Sequence, residues 1–373
     1  MRPDDRREVG SEFHWDPAAI APTPDSPLPQ RCELFATGCG ALSTLLRHLA
    51  PWGRLHVPSF FCMGVAEALS TYVPITWYRH LPDGRGPRLA TLHAVPGDVV
   101  LAQNLFGRDE QEPWDAWMRA HPGVTVVEDH SHDPFSDWAR ASTAPYAVAS
   151  LRKTLPLPDG GLLWSPRGLD LPRPSGPESP GAHLKLAAML LKDAWLGGRA
   201  VPRDGFRALQ QRGEHALLGS AGPASTLTAT VLPLLDVAGL RAASTRNAHA
   251  LIEALAGRAQ PWRVLTGGPA GAAPFRVQVL CAAETVRDAL LAHLAGEGIF
   301  APVHWRQDRA GVWSGDEAAA ELADRILTVP VDHRCGPGDV RRVAEVLGAF
   351  ATAPAKSSNW HRAQAVLSRT VSG

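Results

Sequence analysis

The stretch SLRKTLPLPDGG (150–161) sets a lysine between an apolar, strand-like run and a Pro/Gly loop. Only four residues of the chain are lysine, Lys153, Lys185, Lys192 and Lys356, and arginine supplies nearly all the other positive charge. A lysine in such a chain can be there for its amine, because an amine forms a Schiff base and a guanidinium does not. On position alone, Lys153 also reads as a loop lysine capping a helix carbonyl. A second candidate segment, VVEDHSHDPF (126–135), ends an apolar run with Asp129. An acid at that place can cap a loop, coordinate a metal or pair with a protonated ring nitrogen. His130, His132, Asp129 and Asp133 have the residue types of a metal cluster. Ligands crowded into a single loop rarely converge on one ion, so no metal is expected. A third segment, TGCGALSTLLRHL (37–49), offers Thr37 as a helix cap, with Gly38 and Gly40 permitting close backbone approach. Free amides at a helix start form an anion site. The same pattern also serves as a structural glycine turn. It reads GxGxxS and lacks the acidic residue of a dinucleotide fingerprint.

Three elements must position these groups. They are an anion cradle, an acid at one strand end, and a lysine at the next strand end, 24 residues after Asp129. One cofactor would use all three. Pyridoxal phosphate needs an amine to hold it, a carboxylate to keep its pyridine nitrogen protonated, and a helix N-terminus for its phosphate.

The surrounding pattern supplies such elements. RLHVPS (54–59), VPITWY (73–78), DVVLAQ (98–103), VTVVED (124–129), YAVAS (146–150) and GGLLW (160–164) read as strands. MGVAEALS (63–70) and EPWDAWMRAH (112–121) read as helices between them. That alternation predicts an α/β domain with a mostly parallel sheet. Residues 168–182 read as an exposed Pro/Gly loop, and 183–198 as a helix with a Gly stop. Lys185 and Lys192, seven apart on that helix, read as one solvated face. Residues 225–257 read as one long helix or two in series, with Pro233 marking a start or kink. Strands at 275–281, 300–305 and 326–331, with helices at 284–298 and 339–350, predict a smaller α+β unit. The expected division is an N-terminal arm (1–30), a large domain (31–235), a small C-terminal domain (236–352) and a poorly ordered tail (353–373).

Bulk composition excludes several classes. Lys plus Arg and Asp plus Glu are 37 each, so no basic excess points to nucleic acid. No apolar run is long enough to span a bilayer, and MRPDDRREVGSEFHWDP lacks the apolar core of a signal peptide. Five scattered cysteines without a CxxC pair fit a reducing cytoplasm.

Taken together, the segments resemble the DegT-type family of pyridoxal-phosphate enzymes, known as sugar aminotransferases, over about residues 31–350. FATGCGALSTLL resembles the family's SGTxAL phosphate segment, and VPSFFCMGVAEAL its PSYTC-like segment. NLFG (104–107) stands where HLYG or HxFG is common. VEDHSH resembles EDxAH, and SLRKTLPLPDGG the lysine segment ending in GEGG or PDGG. GIFAPVHW (298–305) and ILTVPVDHRCGPGDVRRVAEVL (326–347) resemble the small-domain segments.

The resemblance implies an aspartate aminotransferase-like, fold type I architecture and a homodimer with shared active sites. Lys153 would bind the cofactor covalently and shuttle protons. Asp129 would hold the pyridine nitrogen, and His132 would contact the ring hydroxyl. The amides of Cys39 and Gly40, beside Gly38, would hold the phosphate. Cys62, Asn104 and Ser150 would complete the cofactor site, and His304 and Trp305 would lie at the substrate entrance. The sequence departs from the family in three places. Cys62 stands at a position that is often aromatic, just after Phe60 and Phe61. Val148 replaces the usual serine five residues before the lysine, with Ser150 three before it. AGPAS (221–225) has Ala221 and Pro223 where Asn and Arg are usual. The expected function is transfer of an amino group from an amino acid to a ketone or aldehyde, a sugar or natural-product intermediate. Two alternatives stay open: elimination or other carbanion chemistry with the same cofactor, and a catalytically silent binding protein.

Overall fold

Runs such as VVLAQ and YAVAS have apolar residues on both alternating faces, as in a parallel sheet covered by helices on each side. The computed structural model describes residues 7–21, 27–258, 260–269 and 272–350. The chain begins with β1 (Val9–Gly10), β2 (Cys32–Phe35), α1 (Gly38–His48), β3 (Leu55–Pro58), α2 (Met63–Ser70) and β4 (Ile75–Tyr78). It continues through β5 (Val99–Gln103), α3 (Glu112–Ala120), β6 (Thr125–Asp129), α4 (Asp137–Ala141), β7 (Tyr146–Ser150) and β8 (Gly161–Trp164). Three helices follow, α5 (Pro180–Leu196), α6 (Arg203–Leu217) and α7 (Thr226–Val231), and then the long α8 (Val237–Leu255). The last elements are β9 (Trp262–Val264), β10 (Val277–Cys281), α9 (Glu284–Gly296), β11 (Ile299–Phe300), α10 (Glu317–Arg325), β12 (Ile326–Val329) and α11 (Pro337–Ala349).

Seven strands form one sheet in the order β2-β8-β7-β6-β5-β3-β4. From β7 to β4 every pairing is parallel, and β8 runs antiparallel to both its neighbours. Val99, Leu101 and Val127 face one core beneath α1 and α2. Val100, Ala102 and Val126 face another with Trp114, Trp117 and Trp138. The sheet therefore opens its functional edge where β2, β3, β5, β6 and β7 end. The chain order changes direction between β3 and β5, which leaves a crevice at that edge.

In the rest of the chain, β10 is the centre of a three-stranded antiparallel sheet, β12-β10-β9. It shares a core with Ala248, Leu251 and Leu255 of α8 and with apolar residues of α9 and α11. Pro233 lies in the turn Leu232–Leu234 that separates α7 from α8, so the 225–257 stretch is two helices in series. Asp236 caps α8 by accepting from Gly239 N–H at 2.8 Å. The expected tail beyond 353, the start of the expected arm (1–6) and Lys356 lie outside the described residues. No helix among the described residues is long and apolar enough to cross a membrane.

Two expectations are corrected. The strand expected at 300–305 is confined to Ile299–Phe300, which β1 pairs in parallel. Beyond it, Pro302 has no N–H for a ladder, and its carbonyl accepts both the amide (3.0 Å) and the hydroxyl (3.1 Å) of Thr328. Lys185 and Lys192 do not form a solvated face; they are 3% and 1% exposed. Lys185 Nζ pairs with Glu12 at 2.8 Å and Glu214 at 2.9 Å, and Lys192 Nζ with Glu8 at 3.2 Å. The N-terminal arm lays Glu8 and Glu12 over α5, and α6 brings Glu214 against it, so charge pairing offsets the desolvation that the helix pattern alone argues against.

Glu214 also grips Arg152, the residue before Lys153, through two bonds of 2.7 and 2.6 Å. Burial pushes its carboxyl up, but Arg152 and Lys185 outweigh that and bring it down to about 2 from 4.5. A lowered acid contributes stability above its unfolded value and loses it as pH falls through the folded one. Glu214→Gln is therefore expected to flatten the fall in thermal midpoint between about pH 4.5 and pH 2. At pH 7 it should cost roughly 1–3 kcal/mol, less than a fully buried pair because the side chain is 35% exposed. Thermal unfolding across a pH series of both proteins checks this.

Candidate active site

Helix α1 starts immediately after β2, at the functional edge of the sheet. Thr37 caps it by accepting from Gly40 N–H at 2.9 Å. Among the described residues, the amides of Gly38 and Cys39 have no acceptor and form the open end of the helix. The Gly40 amide belongs to the cap. The space Gly40 leaves free is filled by backbone: a Cβ there would lie 2.0 Å from Ser220 O. A Cβ on Gly38 would lie 3.1 Å from that of Ser150, so β7 delivers Ser150 to the cradle while Val148 points into the core. Burial, with Cys62 nearby, raises the Cys39 thiol to about 11, so it is neutral at pH 7.

Asp129, the last residue of β6, accepts from Ser131 N–H at 2.9 Å and weakly from Gln103 Nε2 at 3.5 Å. Ser131 Oγ in turn accepts from Ser150 N–H at 2.9 Å, tying the end of β6 to that of β7. The carboxylate keeps acceptor capacity to spare. Asn104, at the end of β5, is buried, and its side-chain oxygen accepts from Asp109 N–H at 3.2 Å, which shapes the loop through Phe106. The other acids and histidine of this loop point apart. His130 pairs with Glu128 at 2.9 Å, and Asp133 with Arg241 at 2.8 Å.

His132 is fully buried among aromatic rings. Phe106, Phe275 and Trp305 lie nearly parallel to it at 5.4, 4.7 and 5.6 Å between centroids. Phe106 N–H donates to its Nδ1 at 2.9 Å, which places the ring proton on Nε2. That Nε2 is buried without a partner. Burial, then Lys153, His304 and Arg276, holds the imidazole well below its ordinary range, so it is neutral. His132→Phe would keep the stack but strand the Phe106 amide. The expected loss is about 1–3 kcal/mol of unfolding free energy, read by urea denaturation.

Lys153 sits on the turn Leu151–Lys153 that follows β7. Its Nζ lies 5.8 Å from the Trp305 ring centroid, and no carboxylate among the described residues pairs with it. Trp305 stacks on Phe106 at 6.0 Å, and Phe60 packs on both rings. Phe60 thus joins the site floor, Phe61 is in the core, and half-buried Cys62 stands just before α2 without a side-chain hydrogen bond to it. The hydroxyl of Thr328 is spent on Pro302, so His304 Nδ1–H donates to Thr328 Oγ1 at 2.9 Å. Burial, then Arg276 and Lys153, keeps His304 neutral as well.

The fold brings Gly38, Cys39, Asp129, His132, Ser150, Lys153, His304 and Trp305 to one edge. Sequence reasoning missed Ser131, Gln103, Asp159 and Arg276. Asp159 is fully buried and accepts from Ser225 N–H and Oγ–H, both at 2.7 Å, and from Thr228. It thereby locks the PLPDGG loop to the 221–225 segment, whose backbone pairs with β2 through Ala224 N–H to Leu34 O at 3.1 Å. A separate, roomier cavity of ≈ 460 Å³ lies between the N-terminal arm, α5 and the start of α11. Within it Lys192 pairs with Glu8, and Arg334 is held by Asp332.

No protein-family model matches the chain, and no curated protein matches it. Solved structures do. The pyridoxamine-phosphate form of Spr1654 from Streptococcus pneumoniae, assigned as a sugar aminotransferase, superposes with a TM-score of 0.65 at 13% identity. That match covers 92% of this chain and 97% of the other. A DegT/DnrJ/EryC1/StrS aminotransferase from Brucella abortus matches with a TM-score of 0.59 at 18% identity, over 87% of each chain. DesV from S. venezuelae, in complex with a ketimine intermediate, matches with a TM-score of 0.60 at 17% identity, over 87% of this chain and 85% of that one. These likenesses are likenesses of fold: the chain has the fold of the DegT/DnrJ/EryC1/StrS aminotransferases, the fold type I α/β architecture.

Proposed function

We propose that this chain is a pyridoxal-phosphate-dependent aminotransferase of the DegT type. On this reading it moves an amino group from an amino-acid donor to a ketone or aldehyde on a sugar or natural-product intermediate. The observation that carries the reading is Lys153. Of the described lysines, Lys185 and Lys192 are buried in ion pairs, whereas Lys153 has no carboxylate and faces an aromatic pocket at the sheet's functional edge.

The residues fit the cofactor by their unmatched groups. Amides of Gly38 and Cys39 without acceptors suit a phosphate. The lone buried Nε2–H of His132 suits an acceptor such as the ring oxygen. Asp129, with acceptor capacity to spare, suits a protonated ring nitrogen. Lys153 would hold the group covalently through its amine. When bound, pyridoxal phosphate supplies an electron sink that stabilises negative charge at the donor's α-carbon.

The chain's own part is positioning and proton handling. Lys153 Nζ takes and returns the donor's α-proton. Asp129 keeps the ring nitrogen protonated, and neutral His132 donates without competing for a proton at pH 7. Phe60, Phe106 and Trp305 keep water from the reacting edge. A cytoplasmic homodimer with shared sites belongs to the same reading, supported by the sequence resemblance.

The test is visible absorbance of the purified protein with added pyridoxal phosphate, before and after glutamate. The expected result is a yellow band that glutamate bleaches. A band that no amino acid bleaches would favour another carbanion reaction, and no band would overturn the cofactor assignment.

A further inference from the structure

We propose that Arg152 is the positioning residue of the Lys153 amine, and that Glu12 of the N-terminal arm acts with it through Lys185 and Glu214, a role that rests on the aminotransferase reading. Lys153 has no hydrogen bond or ion pair among the described residues; its described contact is the face of Trp305. Its amine stands on a flexible four-carbon stem, so its direction must come from the backbone that carries it.

The turn Leu151–Lys153 is a 3-10 turn, so its side chains leave about a third of a turn apart. Each has a separate destination. Leu151 is buried in the core with Leu155, Leu157 and Leu162. Arg152 runs to α6, where its Nη1 and Nη2 donate to Glu214 Oε2 and Oε1 at 2.7 and 2.6 Å. Lys153 is left facing the cleft with His132 and Phe275. The turn cannot rotate without drawing a guanidinium off its carboxylate and a leucine out of the core.

The tie continues past Glu214. Lys185 Nζ lies 2.9 Å from Glu214 Oε2 and 2.8 Å from Glu12 Oε2. Arg152, Lys185, Glu12 and Glu214 thus close one network of balanced charge behind the Lys153 turn. Glu12 also reaches the opposite wall of the cleft. Its backbone oxygen accepts from Arg334 Nη1 at 3.0 Å, and Arg334 holds the cleft residue Asp332 through bonds of 2.8 and 2.9 Å. Replacing a buried ion network by apolar side chains of the same size is often neutral or stabilising, so stability alone is a poor account of four charges gathered here. What the network supplies is direction: a guanidinium fork on a carboxylate fixes two parallel bonds, which an aliphatic contact does not. Direction matters at Lys153 because its amine must meet the proton on the donor's α-carbon, and a misplacement of about 1 Å costs ~100-fold in rate.

The test compares wild type with Arg152→Met, Arg152→Lys, Glu12→Gln and the double variant Arg152→Met/Glu214→Gln, each with added pyridoxal phosphate. Turnover with glutamate is expressed per site carrying the absorbance band, so unfolded protein is not counted. The band should form in every variant, since the Lys153 amine is intact. In Arg152→Met, kcat per such site should fall about 10- to 100-fold, with KM for glutamate changed less than about 3-fold. On mixing with the cofactor the band should also appear at least about 5-fold more slowly, because the same amine must meet the cofactor's aldehyde. Arg152→Lys keeps the charge without the fork and should fall between Arg152→Met and wild type. Glu12→Gln should lower kcat about 2- to 5-fold, since it loosens the far end of the tie. The double variant should lose no more kcat than Arg152→Met, because both substitutions cut one tie. Unchanged kcat and an unchanged rate of band formation in Arg152→Met overturn the role and leave the network a structural one. Should Arg152→Met not fold, wild-type kcat in both Arg152→Lys and Glu12→Gln overturns it. Losses that add in the double variant overturn the tie through Glu214. Absence of the band in wild type overturns the cofactor reading instead, and the positioning role with it.

Discussion

Gly161→Ala is expected to cost at least about 3 kcal/mol of stability, at the upper end for overpacking because the obstruction is backbone. A Cβ on Gly161 would lie 2.1 Å from Thr37 O, 2.3 Å from its carbonyl carbon and 2.6 Å from Gly38 N. None of these is a side chain that can swing away. Thr37 O accepts the first helical bond of α1, from Ala41 N–H at 3.0 Å. Strand β8 cannot retreat either, because β2 and β7 pair with it on both sides. The helix start must therefore move, and it carries the amides of Gly38 and Cys39. Losing one charge-assisted bond there should weaken pyridoxal phosphate binding about 10- to 100-fold. Denaturant unfolding and a cofactor titration read the two effects separately. Gly64→Ala is the control: a Cβ there meets nothing within 4 Å inside α2, so a gain of up to ~1 kcal/mol is expected. Equal behaviour of the two variants would show that the contact between β8 and the α1 cap is not rigid.

That contact also shows what the sequence could and could not say. The strands at 146–150 and 125–129 were legible because their apolar runs are bounded by Gly, Pro and polar clusters, and Lys153 and Asp129 stand at their ends. The glycines of PDGG were legible as a loop. Their reason was not, because Thr37 approaches from a segment more than a hundred residues away. Strand β2 escaped notice because CELF carries a charge and only Phe35 is buried. Helix α6 escaped because the face it buries carries Gln210 and Gly213 between Phe206 and Leu217. Lys185 and Lys192 were misread for a related reason. Helical spacing puts them on one face, but only the returning N-terminal arm, with Glu8 and Glu12, makes that face an interior. Arg276 carried no local signal: whether an arginine before an apolar strand is paired depends on acids that other elements claim first.

Lys153→Ala is the variant expected to cost the most activity. The absorbance band should disappear, and the glutamate half-reaction should slow by at least about 10³-fold, since general acid–base catalysis alone contributes 10²–10⁴. Folding should be nearly unaffected, because Lys153 forms no ion pair and its described contact is the Trp305 face at 5.8 Å. Surface-type cation–π contacts contribute only about 0.5–1 kcal/mol. The thermal midpoint therefore separates chemistry from structure. Two further variants sharpen the point. Lys153→Arg keeps the charge but has no amine that can form a Schiff base, so it should be as inactive as alanine. In Lys153→Ala the vacated space lies in a cleft lined by His132, Phe275 and Arg276, and no carboxylate there is left unpaired. A small added amine such as methylamine should enter it and restore part of the rate, in proportion to its unprotonated concentration. Rescue would assign the lost activity to the Lys153 amine itself. An active Lys153→Arg enzyme would instead show that charge at this position suffices, and that the reaction does not run through a covalent lysine.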